Sequence, residues 1–327
     1  MLGKSINIFI QYLIAALIIL ATVFCVFPLD YLVYKVGGQY TVHVMLAFFG
    51  LGFVFLLLRN KELMYVSFIC CGLICAFLQD SFDDNLLGSF YPKPTEEMTM
   101  DVAHFNVSSS ESDYQSTVET ILETNADIVS IQEVTPDWNM MLQQGLKEAY
   151  PYNKTVVRID FHGMAVYSKF PFERVDTFHF QDIPNIFGSV KPDSTRGEVF
   201  FVSSHMTPPL NYKAYENLGK HLKLISEYVR SFNAPAFAIG DYNVVPWSEE
   251  IKSFRSSANL INARKDFTPD ITSASMRFFQ SPIDHIFFSD HFQCLTFNNI
   301  EGTSANHLGI SGRFQFKFST PHVKGSL

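Results

Sequence analysis

The chain is predicted to be an α/β protein, a sheet core covered by helices, preceded by three transmembrane helices. Three observations predict this. The first 79 residues contain three long apolar runs without charge. Beyond them, apolar runs of strand length alternate with stretches of helical spacing, the pattern of a sheet covered by helices. Polar residues suited to chemistry then fall, one after another, at the ends of those strands.

The apolar runs are residues 6–27, 41–58 and 63–79. Each is near the roughly 17–25 residues that cross a ~30 Å hydrocarbon layer. The first is too long for the apolar part of a signal peptide, lacks a small-residue cleavage site and is followed by two more runs. None holds Asp, Glu, Lys or Arg, so nothing in them supports transport. Lys4 precedes the first run, and Arg59 and Lys61 separate the second from the third. Lys35, between the first and second, is offset by Asp30, and "DSFDDN" (80–85) carries no basic residue. The distribution of Lys and Arg predicts a multi-pass integral protein, seated in the lipid bilayer, with its N-terminus in the cytoplasm. An odd number of spans then makes residues 80–327 extracytoplasmic. Four of the five cysteines (Cys25, Cys70, Cys71, Cys75) lie in the runs as small apolar packing residues. Cys294 alone remains downstream, which excludes an intrachain disulfide framework there.

Three segments follow: a membrane domain (1–79), a polar linker (80–98) with Pro92 and Pro94, and a folded domain (99–327). The whole chain has a formal charge of −8. The membrane domain holds four basic residues against Asp30 and Glu62, so the remainder is more acidic still. That balance weighs against a surface built to grip long nucleic acid through its phosphates.

Within the folded domain the expected elements run in order. Residues 100–107 form a strand and 114–125 a helix. Residues 126–134 form a strand, and 136–150 a helix with Pro136 in its first turn. Residues 164–168 and 198–205 are strands, and 175–197 a loop or hairpin. In the helix over 211–232, Tyr215, Leu218, Leu222, Ile225 and Val229 share a packing stripe. A strand leads into "GDYN" (240–243), a short helix starts at Ser248, and 282–289 is a strand.

The polar residues follow these strands. Asn106 closes the first, Glu133 the second and His205 the run "FFVSS". Asp241 and Asn243 follow "AFAIG", Asp284 lies in "SPIDHIFF", and Asn306-His307 sit in "TSANHLGI". Gly, Asp and Asn are also ordinary turn residues. Residues i and i+2 leaving a strand point the same way, however, so Asp241 and Asn243 aim a proton acceptor and a neutral donor together. Groups gathered at one edge of a rigid sheet are where binding and catalysis concentrate.

With "FNV", "ADIVSIQEV", "GMAVYSKFPF", "FFVSSHM", "GDYNVVPWS", "SPIDHIFFS" and "TSANHLGI" in this order, residues 99–318 resemble the endonuclease/exonuclease/phosphatase superfamily. DNase I-like nucleases, inositol polyphosphate 5-phosphatases and neutral sphingomyelinases share that fold. The resemblance implies a four-layer α/β sandwich and cleavage of a phosphoester substrate assisted by Mg²⁺ or Mn²⁺. It makes Glu133 the main metal ligand, with Asn106 and Asn306 completing or orienting the metal shell. Asp241 would take a proton from the attacking water and Asn243 would donate to a phosphoryl oxygen. His205 and His307 would offset charge on the phosphoryl oxygens, and Asp284 would hold His307 protonated. His162, His179, His221, His285 and His291 match no family position and are expected to be packing or surface residues. One departure stands out: the family's last triplet is Ser-Asp-His, and here it is Ala305-Asn306-His307. A neutral amide removes one negative charge from the metal site. The alternative to a hydrolase is therefore a weakened or inactive binding protein on the same fold. Substrate choice, between nucleic acid, lipid headgroup and small phosphoester, stays open.

Overall fold

The apolar N-terminal segment folds into α1 (Leu2–Val26), α2 (Leu32–Gly38), α3 (Thr41–Leu57) and α4 (Lys61–Phe82). The computed structural model describes residues 2–27, 31–82, 93, 98–108, 112–192, 197–265, 281–300 and 309–317. Among these, two helical stretches are long and apolar enough to cross a membrane, Ile8–Val26 and Lys61–Phe82. That corrects the expectation of three. The middle helix, α3, is apolar but has 17 residues, about 25 Å at 1.5 Å per residue. It stops at a turn where Arg59 takes a φ of 56° and the Asn60 side chain accepts from Leu63 N at 3.2 Å, starting α4. Gln11, early in α1, reaches Asn60 Oδ1 at 3.2 Å. The three long helices therefore alternate in direction, and α4 packs against both others. Phe9, Leu13, Leu20, Phe53, Leu57 and Leu73 leave an apolar outer face exposed.

Capping chemistry sets the helices of the folded domain. These are α5 (Tyr114–Thr124), α6 (Pro136–Leu146), α7 (Tyr212–Phe232) and α8 (Glu249–Ala258). Asp113, Thr135, Asn211 and Ser248 each accept a backbone N–H of the first turn through their side chains. Asn125, Asn233 and Asn259, in the left-handed region, end α5, α7 and α8.

Twelve strands make two sheets among the described residues. One holds β1 (Thr99–Asn106), β2 (Ile128–Gln132), β3 (Tyr152–Val156), β4 (Met164–Ser168), β11 (Phe292–Ile300) and β12 (Gly309–Phe316), in the order β11-β12-β1-β2-β4-β3. The other holds β5 (Phe172–Phe180), β6 (Ile183–Val190), β7 (Val199–His205), β8 (Ala236–Asp241), β9 (Leu260–Asn262) and β10 (Asp284–Ser289), in the order β5-β6-β7-β8-β10-β9. Each sheet has one parallel pair at its centre, β1 with β2 and β7 with β8. A helix joins the strands of each pair, α5 in one and α7 in the other. All other neighbours are antiparallel, so the two sheets repeat one plan.

Three apolar clusters stack the layers. Between the sheets lie Val102, Ile128, Val166, Phe201, Phe237 and Phe314. Outside one sheet, α5 and α6 bring Val118, Ile121, Trp138 and Leu142 onto Phe105 and Ile131. Outside the other, α7 and α8 bring Leu222, Ile225, Ile251 and Phe254 onto Val202 and Ala238. The result is the expected four-layer sandwich. Residues 175–197 contribute a hairpin, β5–β6. Strands β3, β9, β11 and β12 go beyond the expected elements. The first is an edge strand of mostly polar residues, the second has three residues, and the last two carry irregular polar patterns.

The buried face of α7 includes two polar residues, His221 and Ser226, and His221 is the titratable one. It is buried, stacks on Phe180 with centroids 4.6 Å apart and bonds through Nε2 to Asn185 Oδ1 at 2.9 Å. Burial pushes its pKa down to about 3. His285 is also buried, stacked on Phe287, with its pKa pushed down to about 4 by burial. The unfolded chain takes up these protons near pH 6.5 and the folded chain does not. Stability is therefore full above that pH and falls as pH drops towards the folded values. His221→Gln keeps a donor for Asn185 and removes one such proton. Thermal unfolding between pH 7 and pH 4 should show a shallower acid loss than the parent; an identical slope would show that His221 titrates normally.

Candidate active site

Because each central pair is parallel, β1 with β2 and β7 with β8 end together. Register places Asn106 opposite Gln132 and His205 opposite Asp241. Antiparallel β10 starts at the same edge, with Asp284 opposite Asp241. The two sheets meet there through Gln132, which is fully buried. Its Oε1 accepts Asp241 N at 3.0 Å, and its Nε2 donates to Ser204 O. One side chain of the first sheet thus satisfies backbone groups on two strands of the second.

Gly240 makes room for that contact. It has a φ of +146°, and a Cβ there would strike Ser204 O and the Gln132 amide. The glycine of "GDYN" is therefore a steric requirement of the sheet junction.

Around the junction the polar ends converge. Asn106 Nδ2 donates to Glu133 Oε1 at 3.1 Å and to Asp241 Oδ2 at 3.4 Å. Its carbonyl oxygen accepts Ser108 N at 3.0 Å. Asn106 thus enters the site through its nitrogen and orients two carboxylates. Glu133 sits at a φ of 65° and is half-buried. Asp241 Oδ1 accepts Asn243 N at 2.8 Å, and His205 Nε2 lies 3.7 Å from Asp241 Oδ2. Asn243 spends part of its amide donation on Met206 O at 2.7 Å, so it fixes the loop and keeps one N–H to offer. Asn306 and His307 lie outside the described residues, and the expected Asp284–His307 pair with them.

Asp284 has a partner that was not expected. Its Oδ1 lies 3.1 Å from His104 Nε2. His104 Nδ1 lies 3.3 Å from Ser130 Oγ, which meets Ser203 Oγ at 2.8 Å. This buried chain again crosses from one sheet to the other. His104 precedes Asn106 by two residues on one strand, the same i, i+2 relation that marks Asp241 and Asn243, and that signal was available in the sequence. His162, expected as a packing or surface residue, packs beside His205. Its ring centroid is 5.8 Å from that of His205, and its Nε2 is 3.5 Å from Thr207 Oγ1. It borders the mouth, and burial holds its pKa below the ordinary histidine value.

Two carboxylates held by one amide repel each other unless positive charge lies between or beside them. Mg²⁺ binds through one or two carboxylates, with water and substrate phosphate completing its shell. Glu133 fits that pattern, with the Asp241 carboxylate beside it. Among the described residues no group of three or more His, Cys, Asp or Glu forms a cage for a metal, so the fit is to a hydrated hard cation.

A sequence profile described as "Endonuclease/Exonuclease/phosphatase family" matches residues 103–297. The chain belongs to the endonuclease/exonuclease/phosphatase family. Solved structures agree with this family fold. An endonuclease/exonuclease/phosphatase family protein from Bacteroides thetaiotaomicron is 19% identical with a TM-score of 0.54, covering 68% of this chain and 100% of its own. A mannosyl-6-phosphatase of Bacteroides thetaiotaomicron VPI-5482 is 20% identical with a TM-score of 0.51, over 66% and 100%. ANGEL2, a 2′,3′-cyclic phosphatase in complex with adenosine-2′,3′-vanadate, is 13% identical with a TM-score of 0.56, over 69% and 98%. At these identities the likeness is one of fold. No curated protein sequence matches the chain.

Within the family fold, the sheet junction makes a direct prediction. Gly240→Ala should destabilise the protein by more than about 1 kcal/mol, since alanine meets both a disfavoured φ and backbone of β7. Denaturant unfolding measures it. A midpoint equal to that of the parent would mean that Gln132 and Ser204 yield freely.

Proposed function

We propose that the chain is a membrane-anchored phosphoester hydrolase that uses Mg²⁺ or Mn²⁺. Residues 1–79 serve as anchor, 80–98 as linker and 99–327 as the catalytic domain. The observation that carries this reading is the convergence of Asn106, Glu133, His205 and Asp241, from four strands of two sheets, on one mouth. Anchoring is supported by exposure: only 17% of the first apolar window and 28% of the other is buried. A core helix of a soluble protein would be mostly buried. The mannosyl-6-phosphatase and the 2′,3′-cyclic phosphatase that share the fold support a phosphoester as substrate.

Glu133 would hold the cation, with Asn106 orienting its carboxylate and that of Asp241. When bound, it polarises a phosphoryl oxygen and offsets developing charge. Asp241 accepts the proton of the attacking water, with its other oxygen fixed by Asn243 N. His205, beside Asp241, offsets charge on the phosphoryl group, and the free N–H of Asn243 adds a donor there. Asp284 is held by His104 at the rear of the site. By the family pattern, His307 and Asn306 would join these groups.

Purified chain should cleave bis(p-nitrophenyl) phosphate or p-nitrophenyl phosphate with Mg²⁺, lose activity in EDTA and regain it with added Mg²⁺. Glu133→Gln should abolish turnover while the unfolding midpoint holds. Asp241→Asn should lower kcat by about 10²–10⁴-fold with little change in KM, the mark of a lost proton acceptor. Full activity of either variant at saturating Mg²⁺ would remove that residue from its role.

One observation favours a second reading, an inactive binding protein: the amide of Asn306 stands where the family has a carboxylate. Asn306→Asp adds an anionic ligand with almost no change in shape. In an enzyme with a weakened site it should lower the Mg²⁺ needed for half-maximal rate. Metal binding gained without any turnover would support the inactive reading.

A further inference from the structure

The segment joining α1 to α3 is built into the rim of the site. Trp247 Nε1 donates to Gly38 O at 2.7 Å, and Gln39 Nε2 reaches Asn243 O at 3.5 Å. Ser281 Oγ donates to Gln39 O at 3.2 Å. Lys35 pairs with Glu250 at 2.8 Å, both side chains largely buried. Trp247 and Val245 belong to the same apolar cluster as Val42 and Leu78. Asn243 in turn donates to Asp241. One residue's reach therefore separates the interhelical segment from the proposed base.

That segment begins just after α1 ends and finishes where α3 begins. If α1 crosses a bilayer, residues 31–40 lie at headgroup level. Tyr31 and Tyr40 are exposed there, as tyrosines are at membrane interfaces. The start of α7 packs against this segment. Lys35 lies over the Tyr215 ring at 5.4 Å, and Tyr215 OH bonds Glu250. Where the chain enters α7, Leu210 is 78% exposed and Tyr212 67%. Leu210 is three residues from Thr207, which borders His162 and His205. Ile159, 91% exposed, is two residues from Phe161, whose ring lies 5.8 Å from that of His205. Exposed apolar side chains around a mouth fixed beside membrane helices fit the headgroup–acyl boundary.

We propose that the active-site mouth opens at headgroup level and takes a phosphoester carried by a membrane lipid. This rests on the anchored-hydrolase reading and names its substrate class. Water forms a new P–O bond as one ester P–O bond of the lipid breaks. The water proton passes to Asp241, and the departing oxygen takes a proton from solvent.

The test uses the full chain in phosphatidylcholine vesicles. Phosphatidic acid, phosphatidylglycerol and phosphatidylinositol phosphate are compared with their deacylated, water-soluble counterparts, and bis(p-nitrophenyl) phosphate and p-nitrophenyl phosphate report intrinsic activity. At least one lipid should be cleaved more than about tenfold faster than its deacylated form, because enzyme and substrate share one surface. Leu210→Glu, at an exposed position outside the catalytic groups, should lower lipid cleavage and leave the cleavage of both chromogenic esters within about twofold, since only membrane contact is lost. In a separate arm, the fluorescence of Leu210→Trp should be quenched by brominated lipids beyond the parent, whose Trp138 and Trp247 are buried. Equal cleavage of lipid and deacylated forms, equal loss on all substrates in Leu210→Glu, or no added quenching would overturn the proposal. Cleavage of a chromogenic ester with no lipid preference would overturn it while leaving the hydrolase reading intact. Quenching with no cleavage of anything would overturn both the lipid substrate and the hydrolase reading.

Discussion

The structure depends on one buried carboxamide. Gln132 ends the last turn of β2 and reaches across the sandwich to Asp241 N and Ser204 O. Both ends of the amide are satisfied inside the protein, so the contact is directional as well as buried. Loss of either end would leave a backbone group unpaired at a cost of roughly 1–3 kcal/mol. The bridge fixes how far the second sheet slides over the first. Since Glu133 follows Gln132 and Asp241 is bonded by it, the bridge also fixes the distance between the two carboxylates. Gly240 is the matching vacancy on the second sheet, and a second crossing, His104–Ser130–Ser203 with Asp284, lies behind it.

The N-terminal helices act on the same loop from the other direction. Trp247, Glu250 and Asn243 belong to the folded domain but bond to residues 35–39, so the loop after Asp241 is held between two supports. Gln132 holds its entry at Asp241, and the interhelical segment holds its exit. Lys35–Glu250, with Tyr215 as a third member, is a shielded pair and is less exposed to salt than a surface bridge would be. A site of this design tolerates little displacement, which suits chemistry that needs two carboxylates and a histidine at fixed separations.

Much of this was legible in the sequence, for identifiable reasons. Apolar runs ending in Asn106, Glu133, His205 and Asp241 gave the strands and the site edge, because strand period and strand end are local properties. The caps at Thr135, Asn211 and Ser248 are local as well. What escaped depends on contacts across the fold. Gln132 looks like any polar strand residue until the second sheet is laid upon it. His104 and His162 became site neighbours only through packing, although His104 shares its face with Asn106. The strands β11 and β12 mix Gln, Asn, Arg and Gly with apolar residues, since one is an edge strand and its partner borrows burial from β1. The middle run, 41–58, forms α3, whose 17 residues stop where Arg59 and Asn60 turn the chain, and hydropathy alone does not see that limit.

The central claim is that the sheet junction at Gln132 creates the cation site. It is tested most directly by Mn²⁺ binding, followed by electron paramagnetic resonance, in the parent and in Gln132→Met. Methionine keeps the length of the side chain and removes both cross-sheet hydrogen bonds. With secondary structure retained, as circular dichroism would verify, Mn²⁺ affinity should fall by about 10–100-fold, as it does when an orienting group behind a ligand is lost. Unchanged affinity in a folded Gln132→Met protein would contradict the account, because Glu133 and Asp241 would then be placed without the bridge.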